Sequence, residues 1–389
     1  MSFESDFENR IKRRLEELDH QGLKRELREP AGVDLSSNDF LSLSKHPLVK
    51  ARMAEAVLKE GTGSTASRLL RGHRQMFTEV ERRFADFKLA QRSLYFGSGY
   101  AANVAVLSTF PEKGDVVFSD RLNHASIIDG IRLSAAKRKI FDHCNVDNLR
   151  ELLIGDQSTG QRFIVTESLF GMDGDKAPLA AYAKLCEETG AVLIVDEAHA
   201  VGVFGERGSG LIEARGMDHA NIISVNPAGK ALGVGGAFVA GSEWMVDYLI
   251  QRGRTFIFST APPPAMADAL VVSMEIITNE PDRRRKVLNN SALLRRLISD
   301  IGFDVEQCDS PIIPIIIGEN DQAISVAAEL QSLGFDVRAI RPPTVPIGTA
   351  RLRISVHCEL TEDTIHSFVN ALKHATANLE NRSCSVAYS

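Results

Sequence analysis

SVNPAGKALGVGG, residues 224–236, holds one lysine, Lys230, between the β-branched run of Ile222, Ile223 and Val225 and a series of small residues. Gly229, Ala231, Gly233, Gly235 and Gly236 carry almost no side chain, so another molecule can come close to the backbone. A lysine in such a place is poorly solvated, and poor solvation favours the free amine. A free amine can form a Schiff base with an aldehyde. Taken alone, the lysine is as well explained by a surface position on a glycine-rich loop, because isolated motifs are often accidental. The sequence upstream decides between the two.

From about Ser93 onward, strand and helix patterns alternate, the signature of an α/β fold with a mostly parallel sheet. The predicted strands are Ser93–Phe96, Val116–Ser119, Phe163–Thr166, Val192–Val195, Ile222–Val225 and Ala237–Ala240. Several are short and continuously apolar, as strands covered on both faces are. Ligands of such sheets bind beyond the carboxyl ends of the strands. The residues there are Gly97-Ser98-Gly99-Tyr100, Asp120 to His124, Glu167 to Gly174, Asp196-Glu197-Ala198-His199 and the Lys230 loop. One polar strand end is a capping accident; four in succession point to one shared site. The glycines after the first strand leave backbone N–H groups for an anion such as phosphate.

Asp196 closes an apolar run and is expected to be buried, which is costly for a carboxylate unless it is paired. A protonated pyridine nitrogen would pair it. A lysine Schiff base and an acidic partner for the ring nitrogen are what pyridoxal phosphate requires. His199 can reach the same pocket and the cofactor's phenolic oxygen, and His124 can stack on the ring. Taken singly, each histidine is better explained as a structural residue.

The 389 residues suggest two domains. The expected division is an N-terminal helix and arm over 1–45, a large cofactor-binding domain over 46–280 and a smaller C-terminal α/β domain over 281–389. An amphipathic helix is predicted from about Phe7 to Leu27. Hydrophobic residues make up 44 % and charged residues 25 %, enough for a sizeable core. A net charge of −6 argues against nucleic acid as a partner. The basic run Arg283 to Lys286 reads as a solvated helix face. Five scattered cysteines without CxxC spacing read as reduced thiols, with no zinc-site spacing and no metal expected. No apolar run approaches the roughly 18 residues of a membrane span. The charged N-terminus is unlike a secretory signal, so a cytoplasmic location is expected.

Nine stretches together resemble one family. They are SSNDFLSLSKHP (36–47), GTGSTASRLLRGH (61–73), FGSGYAAN (96–103), SDRLNHAS (119–126), VTESLFGMDGDKAPL (165–179), IVDEAHAVGVFGERG (194–208), GKALGVGGAF (229–238), FIFST (256–260) and AIRPPTVPIGTARLRIS (339–355). They resemble the α-oxoamine synthases, fold type I pyridoxal-phosphate enzymes, over about residues 7 to 375. The resemblance implies that Lys230 carries the cofactor and moves the α-proton, that Asp196 holds the pyridinium nitrogen, and that His199 and His124 contact the ring. It places Gly99 and Tyr100 against the cofactor, and Ser259 and Thr260 at the phosphate of the neighbouring subunit of a homodimer. Asn38 and Arg353 would hold the amino acid's carboxylate, Thr344 would touch substrate, and either Lys24 or Arg25 would approach the acyl chain. The implied reaction condenses L-alanine with a pimeloyl thioester, on CoA or a carrier protein, with loss of CO2, as in biotin biosynthesis. The RPPTVP stretch favours that member. The alternatives are a sister enzyme using glycine and acetyl-CoA, and a catalytically retired paralogue that only binds. Two positions depart from the family. Pro227 stands where a threonine is common, three residues before the lysine, leaving Asn226 and Ser224 as substitutes. Gly171 stands where the family has a serine.

Overall fold

In the computed structural model, residues 5–219 and 221–385 are described. The chain divides into two compact units, Asn38–Leu288 with His357–Glu359, and Met1–Ser37 with Asn289–Val356 and Leu360–Ser389.

The larger unit is built on a seven-stranded sheet. Its strands are β1 (Arg92–Phe96), β2 (Val116–Asp120), β3 (Lys137–Phe141), β4 (Arg162–Glu167), β5 (Val192–Asp196), β6 (Ile222–Pro227) and β7 (Ala237–Gly241). Their order across the sheet is β1-β7-β6-β5-β4-β2-β3. All run parallel except β7, which is antiparallel to both its neighbours. Six strands therefore end on the same edge. The central strands are buried on both faces, which is why they read as unbroken apolar runs. Leu94, Val117, Val165, Ile194, Val225 and Val239 share one core cluster with Ala102, Ala105 and Val106 of the helix Gly99–Thr109.

Strand β3 was not among the predicted strands. It is the sheet's edge, and Lys137, Arg138 and Lys139 hide its pattern; only Phe141 is fully buried. A charged edge strand resists pairing with another chain, so polarity here is normal.

The smaller unit carries β8 (Ile312–Gly318), β9 (Ala339–Ile340) and β10 (Ala350–Ser355), ordered β9-β10-β8 and antiparallel. Ile313, Ile315, Leu352 and Ile354 pack with Leu294, Phe368 and Leu372. The first helix, Asp6–His20, is shorter than predicted and buries none of its residues. It stops because Gly22 turns the chain into the left-handed region at φ +63°.

The basic run corrects another expectation. Arg285 is exposed, but Arg284 is buried and its guanidinium bonds the carbonyls of Ile277 and Glu206. Arg283 reaches Glu280 and the carbonyl of Leu41. Half of this run is therefore internal scaffolding. Among the described residues, no helix is long and apolar enough to cross a membrane.

Candidate active site

The turn after β6 puts Lys230 at the sheet's carboxyl edge. Two glycines in it are required. At Gly236, φ is +111° and a Cβ would stand 2.3 Å from the Tyr95 hydroxyl. At Gly233, φ is +70° and a Cβ would stand 2.4 Å from the Ser44 amide nitrogen. Lys230 itself is half-buried, and its Nζ lies 2.9 Å from His199 Nε2. Gly171 makes room for that pair, because a Cβ there would fall 2.5 Å from the same imidazole nitrogen.

Asp196 ends β5 with 4 % exposure. Its Oδ1 accepts the Ala198 amide at 2.8 Å, and its Oδ2 accepts the Asn103 side-chain amide at 2.7 Å. Asn103 also donates to Ser126 Oγ at 3.0 Å, and that hydroxyl is 2.7 Å from His124 Nδ1. His124 Nδ1 further accepts the Ser126 amide, so this nitrogen is an acceptor and the ring is held neutral. Burial lowers the His124 pKa; Asp196 opposes that shift and Lys230 adds to it. A hydrogen-bonded line thus runs from His124 through Ser126 and Asn103 to Asp196, joining three strand ends.

Glu167, at the end of β4, is the register partner of Asp196. Burial first, then the Asp196 charge, pushes its carboxyl up to about 8, with Lys230 opposing. Burial and the neighbouring Asp196 charge together favour the protonated form of Glu167.

Gly99 and Tyr100 open the helix Gly99–Thr109, capped by Ser98 Oγ, which accepts the Ala101 amide at 3.2 Å. A Cβ on Gly99 would meet Pro227 Cγ at 2.6 Å, so the two positions are packed on each other. The Tyr100 hydroxyl bonds Asp129. Tyr100 and Ser259 line one depression of about 590 Å3 with Ser98, Asp129, Arg132 and Thr255. Ser259 and Thr260 are exposed, and Asn38 is half-buried.

Arg25, Thr344 and Arg353 belong to the smaller unit. Arg25 Nη2 donates to Thr344 Oγ1 at 3.5 Å, which brings those two together. Lys24 Nζ instead lies 3.6 Å from Asp19. Arg353 is buried in β10, its Nη1 donates to Ser355 Oγ at 2.7 Å, and burial brings its guanidinium down to about 10.

Sequence reasoning placed Glu167 at the ligand edge but gave no role to it, to Asn103 or to Ser126. Asn103 left one signal, being a single amide inside the apolar helical run Ala101 to Val106.

The residues present suit pyridoxal phosphate. Asp196 is a buried carboxylate with no ion-pair partner among the described residues, facing an edge that also carries an amine and two imidazoles. A ring nitrogen that carries a proton supplies the missing partner. Ser168 Oγ and Asn226 Oδ1 are also shut off from solvent with no hydrogen-bond partner.

Comparison with known proteins agrees with this chemistry. The family described as aminotransferase class I and II matches residues 30–372. The chain is 42 % identical over 372 residues to an 8-amino-7-oxononanoate synthase of Anaeromyxobacter dehalogenans, covering 92 % of this chain and 93 % of the relative. A solved 8-amino-7-oxononanoate synthase of Francisella tularensis superposes with TM-score 0.78 at 32 % identity, over 90 % of this chain and 99 % of that one. A serine palmitoyltransferase of S. paucimobilis, solved with a bound PLP–myriocin aldimine, superposes with TM-score 0.89 at 28 % identity, over 98 % and 100 %. The sheet is that of the fold type I pyridoxal-phosphate enzymes, as predicted. This chain belongs to the class I and II aminotransferase family, and within it to the α-oxoamine synthases.

Proposed function

We propose that this chain condenses L-alanine with a pimeloyl thioester to give 8-amino-7-oxononanoate, CO2 and a free thiol, in biotin biosynthesis. The single observation that carries the proposal is the pairing at the carboxyl edge of β5 and β6: the Lys230 amine against His199, beside a buried Asp196 anchored by Asn103. The relatives' shared name supports the product, 8-amino-7-oxononanoate.

Pyridoxal phosphate, bound here, supplies an electron sink for charge that develops at the amino acid's α-carbon. The rest is work for the protein. Lys230 Nζ would hold the cofactor's aldehyde carbon and, when free, would take the α-proton. Asp196 would pair with the protonated ring nitrogen, its carboxylate oriented by the Ala198 amide and the Asn103 side chain. His124 and His199 would flank the ring, His124 as a neutral imidazole. Lys230 returns a proton to the α-carbon after CO2 has left. Arg353 receives the substrate carboxylate, for which a guanidinium fork is suited. Arg25, beside Thr344, is assigned to the acyl donor, on CoA or a carrier protein. Asn38 is assigned to the amino-acid carboxylate, and Ser259 and Thr260 to the phosphate held by a second copy in a homodimer. We place the enzyme in the cytoplasm.

The purified protein is expected to be yellow and to lose that colour on borohydride reduction, with the label on Lys230. Alanine should perturb the cofactor spectrum and, with the pimeloyl thioester, release CO2. A spectral response to glycine with none to alanine would transfer the reading to a sister condensation. A colourless protein that ignores added cofactor would defeat both.

A further inference from the structure

The same edge of the sheet gathers a second group of reactive side chains. Asp120 ends β2, His143 and Cys144 follow β3, and Asp175 lies in the loop after β4. The His143 ring is clasped at both nitrogens: Nδ1 is 2.8 Å from Asp120 Oδ1, and Nε2 is 2.6 Å from Asp175 Oδ2. Cys144 Sγ stands 3.8 Å from that Nε2 and 3.7 Å from that Asp175 oxygen. One ligand atom from each of Asp120, His143 and Cys144 lies within 4.8 Å of the others. The proposed reaction uses none of these four residues.

Their roles differ. Asp120 is occupied as an acceptor, from the amides of Leu122 and Cys144 as well as from His143. It therefore fixes the imidazole and aims Nε2. A carboxylate behind the far ring nitrogen is how proteins orient a metal-binding histidine. The remaining atoms, His143 Nε2, Cys144 Sγ and Asp175 Oδ2, form a triangle with edges of 2.6, 3.7 and 3.8 Å. At zinc bond lengths, tetrahedral ligands stand roughly 3.3–3.7 Å apart. The two sulfur edges nearly match this, and only the nitrogen–oxygen edge has to open. Two polar atoms nearby also lack partners. Asp175 Oδ1 is shut off from solvent without a hydrogen bond, and so is the hydroxyl of the fully buried Tyr182, which feels the charges of Cys144, Asp120 and Asp175. An imidazolium clasped by two carboxylates accounts for His143 and both acids. It leaves these two oxygens without a purpose, and the thiol with only long contacts, to Asp175 Oδ2 at 3.7 Å, His143 Nε2 at 3.8 Å and the Lys176 carbonyl at 3.9 Å.

We propose that His143, Cys144 and Asp175 bind a divalent metal of the zinc class, with Asp120 orienting the imidazole. Mixed nitrogen, sulfur and oxygen donors suit zinc rather than magnesium or calcium, which take oxygen ligands. Three protein ligands leave a fourth position for water. Uptake displaces the proton between His143 Nε2 and Asp175 Oδ2 and the Cys144 thiol proton, and both are released. The cysteine spacing carried no zinc signature because the ligands come from two separate loops. The metal would tie down the loop that holds Ser168 and Gly171.

The test uses holoenzyme stripped with a chelator and titrated with cobalt chloride, then with zinc chloride. The expected result is saturable uptake of one cobalt per chain, with tetrahedral visible bands and a thiolate-to-cobalt charge-transfer band in the difference spectrum. Cys144→Ser should abolish the charge-transfer band and the zinc-dependent rise in melting temperature. Asp120→Asn should keep the band but weaken binding about 10–100-fold. Cys308→Ser should leave everything unchanged. Metal-free melting curves and the cofactor spectrum verify that each variant folds. A wild-type chain that takes up no cobalt, or a charge-transfer band that survives Cys144→Ser, overturns the assignment.

Discussion

Replacing Asn103 with alanine tests whether its hydrogen bond to Asp196 serves the chemistry. Asn103 is 2 % exposed and donates to Asp196 Oδ2 at 2.7 Å. A hydrogen bond to a charged group contributes about 1.5–3 kcal/mol, so the loss should lower kcat/KM about 10–150-fold. The assay is steady-state release of thiol from the pimeloyl thioester with alanine as co-substrate, run beside a melting curve. The decisive comparison repeats the substitution in an Asp196→Asn background. With no carboxylate to stabilise, Asn103→Ala should cost far less there, giving a coupling energy of about 1 kcal/mol or more. If kcat/KM stays within about twofold, or the same factor is lost in both backgrounds, Asn103 is a packing residue and the line from His124 to Asp196 has no chemical role.

Three further outcomes are expected. Gly99→Ala drives a methyl into the rigid Pro227 ring, whose Cγ would be 2.6 Å away, so cofactor affinity should drop by the equivalent of about 1–3 kcal/mol and recover in Gly99→Ala/Pro227→Ala; equilibrium dialysis of the cofactor reads this, and unchanged affinity dismisses it. Lys88 and Glu197 form a fully buried ion pair, and Glu197 also accepts the amides of Leu211 and Ile212, so Lys88→Met should cost about 3–5 kcal/mol in denaturant unfolding, part of it restored by adding Glu197→Gln. Glu167 is raised from 4.5 to about 8, so the unfolded chain loses this proton first; the stability it confers is full below the lower value and is lost as pH climbs to the higher one. Glu167→Gln should therefore flatten the fall in stability across that window by up to about 1.4 kcal/mol per pH unit, and identical slopes would refute the assignment.

How much of this was legible depended on whether a residue's signal was local. The Val- and Ile-rich strands and the polar residues that follow them announced the parallel sheet and its ligand edge, because burial on both faces leaves an unbroken apolar run. Strand β3 was hidden because an edge strand needs only one buried anchor, and Phe141 is that anchor. Lys230, Asp196, His124 and His199 could be picked out because each sits at or just beyond a strand's carboxyl end. Asn103 and Ser126 act through contacts made only when helices close over strand ends, and their spacing along the chain says nothing about one another. Arg284 was misread for a related reason: four consecutive basic residues look solvated, yet a helix turns one of them inward to two carbonyls.

The strand order has a bearing on how the chain is made. Among the described residues, the first strand of the large sheet, Arg92–Phe96, pairs only with the last, Ala237–Gly241. On the ribosome, the early strand must wait with an open hydrogen-bonding edge until nearly 150 further residues have emerged, a span that is long for a chain growing at about 5–20 residues per second. Until then the Tyr95 and Phe96 side chains have no Phe238 or Ala237 beside them. Nascent chains of this protein should therefore lean on holding chaperones, and truncations ending before Gly241 should aggregate even though every residue proposed to touch the cofactor ring is already present.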